Sequence, residues 1–354
     1  MKTYIGIDLH SNNSYFAVVD EAGDRLYHRR FSNNKESIML ALERVKSFGE
    51  PEFFAVESTY NWYWLVDILH DNGFHVKLAN PAQIEQYNGL KLTDDKNDAF
   101  FLAELLRLNI LPNGWICPRE DRPVRDLLRT RMKLVQQRTA FKNSITSIIA
   151  RQTGIHSSSR EVLQMTKSEI DGLVQSPDIT FRIGQLKTQV YSLDNAISMI
   201  EKRCFNKLHL SIEYKCLNSV PGIGPLLSMV IMVETGDLRR FSKSGKYTSY
   251  CRCVDSNKTS NGKNKGKNNK KNGNKYLSWA YAEAAINLKR YCPPANSYWQ
   301  RKKSKGSAML ANKSLAAKLT KACFYMIRDG VNFDAKKLFG YEGKTLGALP
   351  KSSA

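Results

Sequence analysis

The chain has 354 residues, 42% of them hydrophobic, enough to bury more than one core, so two or three domains are expected. A formal net charge of +21 fits a nucleic-acid partner. Membrane and secretory classes are set aside: the longest strongly apolar run, 226–233, is too short to span a bilayer, and the opening Met-Lys-Thr-Tyr-Ile-Gly-Ile-Asp lacks the apolar core of a signal peptide.

Residues 1–110 alternate strand and helix signals. The runs 4–8, 15–19 and 25–31 are short and β-like, and Asp20-Glu21-Ala22-Gly23-Asp24 is a good hairpin turn between the last two. Helical spacing follows over 36–46, then an apolar strand at 53–56, a short helix at 62–69, a strand at 75–78 and a helix at 95–108. Three antiparallel strands followed by helix–strand–helix–strand–helix is the element order of a ribonuclease H-like domain, placed at 1–112.

From 122 to 207 the pattern turns helical. Leu127, Leu134, Phe141 and Ile148 fall seven apart, and Ile183, Leu186, Val190, Leu193, Ile197 and Ile200 alternate gaps of three and four. An antiparallel helical hairpin, a dimerising coiled coil and a helix packed on its own domain all fit these segments, with a polar stretch at 153–180 between them. A third region, 216–335, opens at Val220-Pro221-Gly222-Ile223-Gly224-Pro225 and runs on as an apolar helix over 226–234. A basic loop and helices near 276–290 and 307–329 follow, and 336–354 is a tail. Between Ser242 and Lys275 lie 10 Lys/Arg, 7 Asn and one acid, which suits a loop closing on phosphate.

Charge divides the chain. Residues 1–110 carry 11 basic and 16 acidic side chains, whereas the other 244 carry 43 and 17. Acid gathered inside a polycation points to a metal site that acts on a polyanion. Four carboxylates are placed to build it. Asp8 ends the first strand, on the face it shares with Tyr4 and Gly6, and Glu57 closes a later one. Asp95 and Asp98, three apart at a helix start, share a face. Hard oxygen ligands of this kind suit Mg2+, with Mn2+ as the alternative, and two ions roughly 3.5–4 Å apart would stabilise both oxygens of a phosphoryl transfer. Asp20, Glu21, Asp24, Asp67, Asp71 and Asp94 read as solvated surface, and His10 as a hydrogen-bonded structural histidine. The seven cysteines, odd in number and scattered, read as reduced thiols of a cytoplasmic protein.

Tyr-Ile-Gly-Ile-Asp, Val-Glu-Ser-Thr, Asn-Pro-Ala and Asp-Asp-Lys-Asn-Asp-Ala resemble the N-terminal motifs of the DEDD transposases, insertion-sequence recombinases with a RuvC-like domain that are related to pilin-gene invertases. In the last motif Thr93-Asp94 stand where the family has Lys-Thr, while Asp95, Asp98 and Ala99 keep register. Ser-Val-Pro-Gly-Ile-Gly-Pro, Glu-Thr-Gly-Asp-Leu-x-Arg-Phe, Tyr247–Tyr250 with the segment through Gly262-Lys263, Gly273-Asn274 and Glu283-Ala284-Ala285 are similar to the family's transposase domain. The resemblance covers about 3–108 and 216–335.

That resemblance implies a nucleophilic serine, which an ungapped alignment of 250–263 puts at Ser260, with Thr259 and Ser256 as fallbacks. A hydroxyl needs activation; Lys258, Lys263 and Lys265 supply positive field, and Asn261-Gly262 allows close approach to phosphate. It further implies a covalent protein–DNA phosphoserine intermediate, a structured noncoding bridge RNA that pairs with donor and target DNA, and dimers pairing into a tetramer in a prokaryotic, nucleoid-associated setting.

Further nucleic-acid contacts are expected from the backbone at Gly222 and Gly224 and from Lys267, Lys270, Lys271, Arg301 and Lys302, with Tyr298 and Trp299 available for stacking. A helix-packing corner is the equal reading of 220–225. Tyrosine recombination, considered for Tyr247, Tyr250 and Tyr276, lacks its histidine, since none follows His209. Remaining alternatives are an invertase of the same chemistry and a RuvC-like endonuclease that hydrolyses with water.

Overall fold

A computed structural model describes residues 1–84, 94–207, 211–254, 257–260, 263–267 and 272–340. It divides into two compact units, one built on Met1–Cys117 and the other on the chain from Pro118 onward. A mixed α/β sheet forms the first and a mainly helical assembly the second, as the sequence leads one to expect.

In the first unit β1 (Lys2–Leu9), β2 (Asn13–Asp20) and β3 (Arg25–Ser32) form an antiparallel meander. Then come α1 (Lys35–Lys46), β4 (Glu50–Glu57), α2 (Trp62–Asp71), β5 (Val76–Ala79), α3 (Asp95–Arg107) and β6 (Asn113–Gly114). The sheet order is β3-β2-β1-β4-β5-β6, with β4 parallel to β1 and β5 parallel to β4. Every expected element of this region is present with its ends moved by three residues or fewer; β6 is an addition.

Strand alternation sorts the two faces. Ile5, Ile7 and Leu9 join Phe16, Val18, Phe54 and Val56 in one core with Ile38 and Leu42 of α1 and Leu65 and Leu69 of α2. On the opposite face α3 lies against Ala17 and Val19 through Ala99, Phe100 and Ala103. Small residues dominate this second contact, so the helix backbone rides close to the sheet. At Gly6 the approach is closest: a methyl added there would stand 1.9 Å from the Ala99 carbonyl oxygen and 2.6 Å from the Ala103 nitrogen. Asp94 caps the helix, its Oδ1 accepting from the Asn97 N–H at 2.6 Å, which gives that acid a structural role.

The second unit begins with α4 (Arg122–Thr153), α5 (Ser159–Gln164), α6 (Lys167–Val174) and α7 (Pro177–Phe205). Ion pairs Arg131–Glu201 and Arg138–Asp194 join α4 and α7; one partner rises by seven as the other falls by seven, so the helices run antiparallel within one chain. Their far end has its own core of Ile145, Ile148, Ile149, Val162, Ile170, Ile183 and Val190. The polar stretch between them holds α5 and α6, each opened by a capping box, Ser158 with Glu161 and Thr166 with Glu169.

Next come α8 (Ile212–Asn218), α9 (Pro225–Thr235), α10 (Ser244–Tyr250), β7 (Asn257–Ser260), β8 (Lys263–Lys267), α11 (Lys275–Tyr291), α12 (Pro293–Lys303), α13 (Ala308–Asp329) and α14 (Ala335–Phe339). Their common core includes Leu128 and Cys204, which tie in the near ends of α4 and α7. Among the described residues no helix is long and apolar enough to cross a membrane. All seven cysteines are buried and free.

Candidate active site

The sheet register collects the acids. Asp8 pairs with Tyr15 on β2, and Tyr15 pairs with Arg30 on β3. On the other side Ile7 pairs with Val56, which brings Asp8 beside Glu57 at the carboxyl ends of two parallel strands. One transverse row therefore reads Arg30, Tyr15, Asp8, Glu57. The first turn of α3 adds Asp95 and Asp98 from the face that Gly6 leaves open.

Asp8 is 4% exposed, and its Oδ2 lies 3.0 Å from His10 Nε2. The same nitrogen is 3.2 Å from Asp95 Oδ1, while Arg30 donates to Asp95 Oδ2 at 2.6 Å. Asp8, His10 and Asp95 thus present three ligand atoms close together. Burial raises the Asp8 carboxyl, with His10 partly offsetting it. Burial and then the neighbouring Asp8 push Glu57 up to about 7, and the hydrogen bond between the two keeps a proton on Glu57. Burial, then Asp8, Asp94 and Asp95, raise Asp98 as well. Desolvation and mutual crowding make the charged forms of these carboxyls costly, a cost that a bound cation would relieve. The carboxylates of Asp8 and Asp95, with His10 Nε2 beside them, offer donors that suit a divalent ion.

Two participants escape the sequence reading. His10, set aside as structural, stands between Asp8 and Asp95; its signal is the two-residue spacing from Asp8, which keeps both on one side of an extended chain. Arg30 becomes visible only once the hairpin register is known. Arg30 pairs with Asp95 and His10 bridges Asp95 and Asp8, whereas Glu57 and Asp98 have Asp8 as their strongest charged influence.

In the second unit, Cys251–Cys253 and Gly273-Asn274 form the stem of the basic segment. Asn274 N–H donates to the Tyr250 carbonyl at 2.6 Å and Arg252 donates to the Gly273 carbonyl at 2.8 Å. In place of a continuous loop, β7 and β8 form an antiparallel pair with Ser260 opposite Lys263. For Lys258, Thr259, Ser260, Lys263, Lys265 and Lys267 the backbone alone is described; Ser256, Lys270 and Lys271 lie outside the described residues.

A buried charge network anchors that stem. Glu234 of α9 is 2% exposed and accepts from Arg129 at 2.6 and 2.8 Å, from Arg125 at 3.3 Å and from Asn274 Nδ2 at 2.7 Å. Burial alone would raise its carboxyl, but the two guanidiniums outweigh burial and hold it below the usual range. Asn274 Oδ1 meanwhile accepts from the Tyr276 and Leu277 N–H groups and caps α11. Glu234→Ala would leave two arginines facing a desolvated gap, and a loss of about 3–5 kcal/mol is expected in chemical denaturation. A loss under about 1 kcal/mol would mean that water replaces the carboxylate.

Gly222 has φ +100°, and a methyl there would sit 2.7 Å from Asn287 Cβ and Leu288 N, so its close approach is to α11. The 218–224 turn, with Asn287 and Tyr291, lines a groove of about 480 Å³; Gly224 caps α9 and faces open space. Arg301 and Lys302 lie in the last turn of α12, over the Tyr298 ring. Trp299 is buried, its Nε1 donating to Asn312 Oδ1 at 2.7 Å, so its ring serves packing and not stacking; Tyr298 is half-buried, its hydroxyl 2.8 Å from Ser314 Oγ. Tyr247 is fully buried, its hydroxyl between Thr235 and Tyr281 at 2.8 Å each, and burial pushes it well above the usual phenol range, which removes it as a nucleophile.

An acidic cluster at strand ends and a basic helical unit are the parts expected of a protein that acts on nucleic acid. The chain belongs to the IS110 family of transposases: the family's DEDD transposase model matches residues 5–152, and the model described as transposase IS116/IS110/IS902 family matches 214–300. It is 23% identical to the transposase for insertion sequence element IS1111A of Coxiella burnetii, over 81% of this chain and 78% of that one. It is also 23% identical to the transposase for IS1328 of Yersinia enterocolitica, over 78% and 80%. Membership implies DNA binding and DNA cleavage and transfer.

Proposed function

We propose that the protein is a DNA recombinase whose RuvC-like first unit holds Mg2+ through Asp8, Glu57, Asp95 and Asp98, and whose second unit supplies Ser260 as nucleophile. The observation that carries this reading is the convergence of Asp8, Glu57 and Asp98, all with raised proton affinity, beside the ends of β1 and β4. Mg2+, when bound, would neutralise charge on the phosphate and polarise its ester bond.

Ionised Asp8, Glu57 and Asp98 bind and orient. His10 and Arg30 keep Asp95 in place. Ser260 Oγ forms a bond to phosphorus as the bond to a sugar oxygen breaks, and the hydroxyl proton leaves to the sugar oxygen through solvent. One phosphate ester replaces another, so the bond energy is kept for religation. Bridge RNA supplies site choice by base pairing, and dimers pair into a tetramer to hold two DNA sites; the excess of 43 basic over 17 acidic side chains beyond residue 110 suits carrying both nucleic acids.

The test is to trap the protein on a cleaved DNA end with a substrate whose religation is blocked, and to map the linked residue by peptide mass. Attachment at Ser260, and none in Ser260→Ala, is the expected result. An adduct surviving in Ser260→Ala moves the nucleophile to Thr259 or Ser256. Cleavage with no adduct under any condition makes the protein a hydrolytic nuclease.

A further inference from the structure

Tyr60 stands three residues past Glu57 and is 82% exposed, the one mostly exposed aromatic ring among the described residues of the first unit. A single exposed ring on a protein surface needs no explanation in itself. Its setting does. Glu57 and Asp8 end neighbouring strands, and the chain beyond each is fastened to the other. Asn61 Nδ2 donates to the His10 carbonyl at 2.9 Å, and Asn33 Nδ2 donates to that same carbonyl at 2.9 Å. Thr59 Oγ1 donates to Asn61 Oδ1 at 2.9 Å, while the Thr59 N–H reaches the Glu57 carbonyl and the Ser58 N–H reaches the Ala79 carbonyl. Two residues on, Trp62 is buried and begins α2. Tyr60 is therefore held out into solvent by a rim pinned on both sides, next to the acids that would face a phosphate.

We infer that Tyr60 is a stacking shelf for an unpaired nucleobase of the DNA strand whose phosphate the carboxylate cluster engages. A phosphate engaged by this carboxylate cluster brings its own base within one nucleotide of the rim. Flat aromatic faces accept any base, and a tyrosine on a pinned stretch of chain has only its two side-chain torsions to fix on stacking. A base lifted from its partner suits a strand being cut and exchanged. The inference rests on the reading that the acids act on DNA.

Photocrosslinking of the full chain to duplex DNA with a short unpaired stretch of 5-iododeoxyuridine tests this, together with cleavage kinetics. Crosslinks are expected at residue 60. Tyr60→Ala should lower the second-order rate of cleavage by roughly 5- to 160-fold, the worth of one base–aromatic stack, with the salt dependence unchanged because no phosphate contact is lost. Tyr60→Phe and Tyr60→Trp should stay within about twofold of the parent. Absence of crosslinks at residue 60 overturns the shelf, as does a Phe variant as impaired as the Ala variant. Crosslinks appearing with an RNA strand of the same sequence but not with DNA overturn it in favour of an RNA base. Should Glu57→Gln still cleave while Tyr60 crosslinks to DNA, the metal reading fails and the shelf stands.

Discussion

Glu57→Gln is expected to abolish metal-dependent strand cleavage and to flatten the pH dependence of stability in metal-free protein. Glu57 ionises at about 7 in the folded chain against an ordinary 4.5. The folded state thus binds the extra proton between those values. Its contribution is full below the lower one, fades as pH rises and is gone above the upper one. Asp8 and Asp98, also shifted upward, act in the same direction. A divalent ion substitutes for the proton, so Mg2+ should raise the melting temperature of the parent at about pH 8 and do little at about pH 5. Glutamine neither ionises nor repels, so the variant should keep only the smaller pH dependence that Asp8 and Asp98 contribute and respond weakly to Mg2+. Loss of several kcal/mol of charge stabilisation corresponds to a cleavage deficit of at least about 10³-fold. Melting curves with chelator and with Mg2+ at both pH values decide the matter. A parent protein whose stability ignores both pH and Mg2+ would sink the carboxylate assignment.

Gly6→Ala should be the most damaging single methyl in the first unit. The added carbon would stand 1.9 Å from the Ala99 oxygen and 2.6 Å from the Ala103 nitrogen, inside one hydrogen-bonded turn of α3. Neither atom belongs to a side chain that can rotate away, so the helix must lift or break. Alanine's smaller unfolded-state entropy returns about 0.4–1 kcal/mol, too little to offset overpacking of about 3 kcal/mol or more. A fall of roughly 10 °C or more in the melting of this unit is expected. Because Asp95 and Asp98 travel with α3, Mg2+ stabilisation should vanish too. Calorimetry with and without Mg2+ measures both losses; a variant that melts normally and still responds to the ion would show that the helix yields at no cost.

Much of the first unit can be read directly because its signals are local. Alternation in Ile5, Ile7 and Leu9 and the turn at Asp20–Asp24 specify a hairpin without reference to anything distant, and strand ends place Asp8 and Glu57. Arg30 is different. Its place beside Asp95 depends on register across two strand pairs, and one strand slip would send it to the other face. The helices α5 and α6 were legible and missed: Ser158-Ser159-Arg160-Glu161 and Thr166-Lys167-Ser168-Glu169 spell capping boxes inside a stretch that otherwise reads as polar linker. The strands β7 and β8 carried no such clue, since Asn and Lys favour strands poorly and pairing is decided by the partner segment. Trp299 beside three basic residues looks like a stacking surface in sequence, yet its ring is needed for packing between α12 and α13. Composition cannot tell an exposed ring from a covered one.

The antiparallel pair α4 and α7 is also a lever. At 32 residues α4 extends about 48 Å, and its two ends belong to different cores. A tilt of only about 10° at the end held by Leu128 would sweep the α5–α6 tip through about 8 Å. Ion pairs Arg131 with Glu201 and Arg138 with Asp194 tie the two helices at two levels about two turns apart, so such a tilt would carry both helices together.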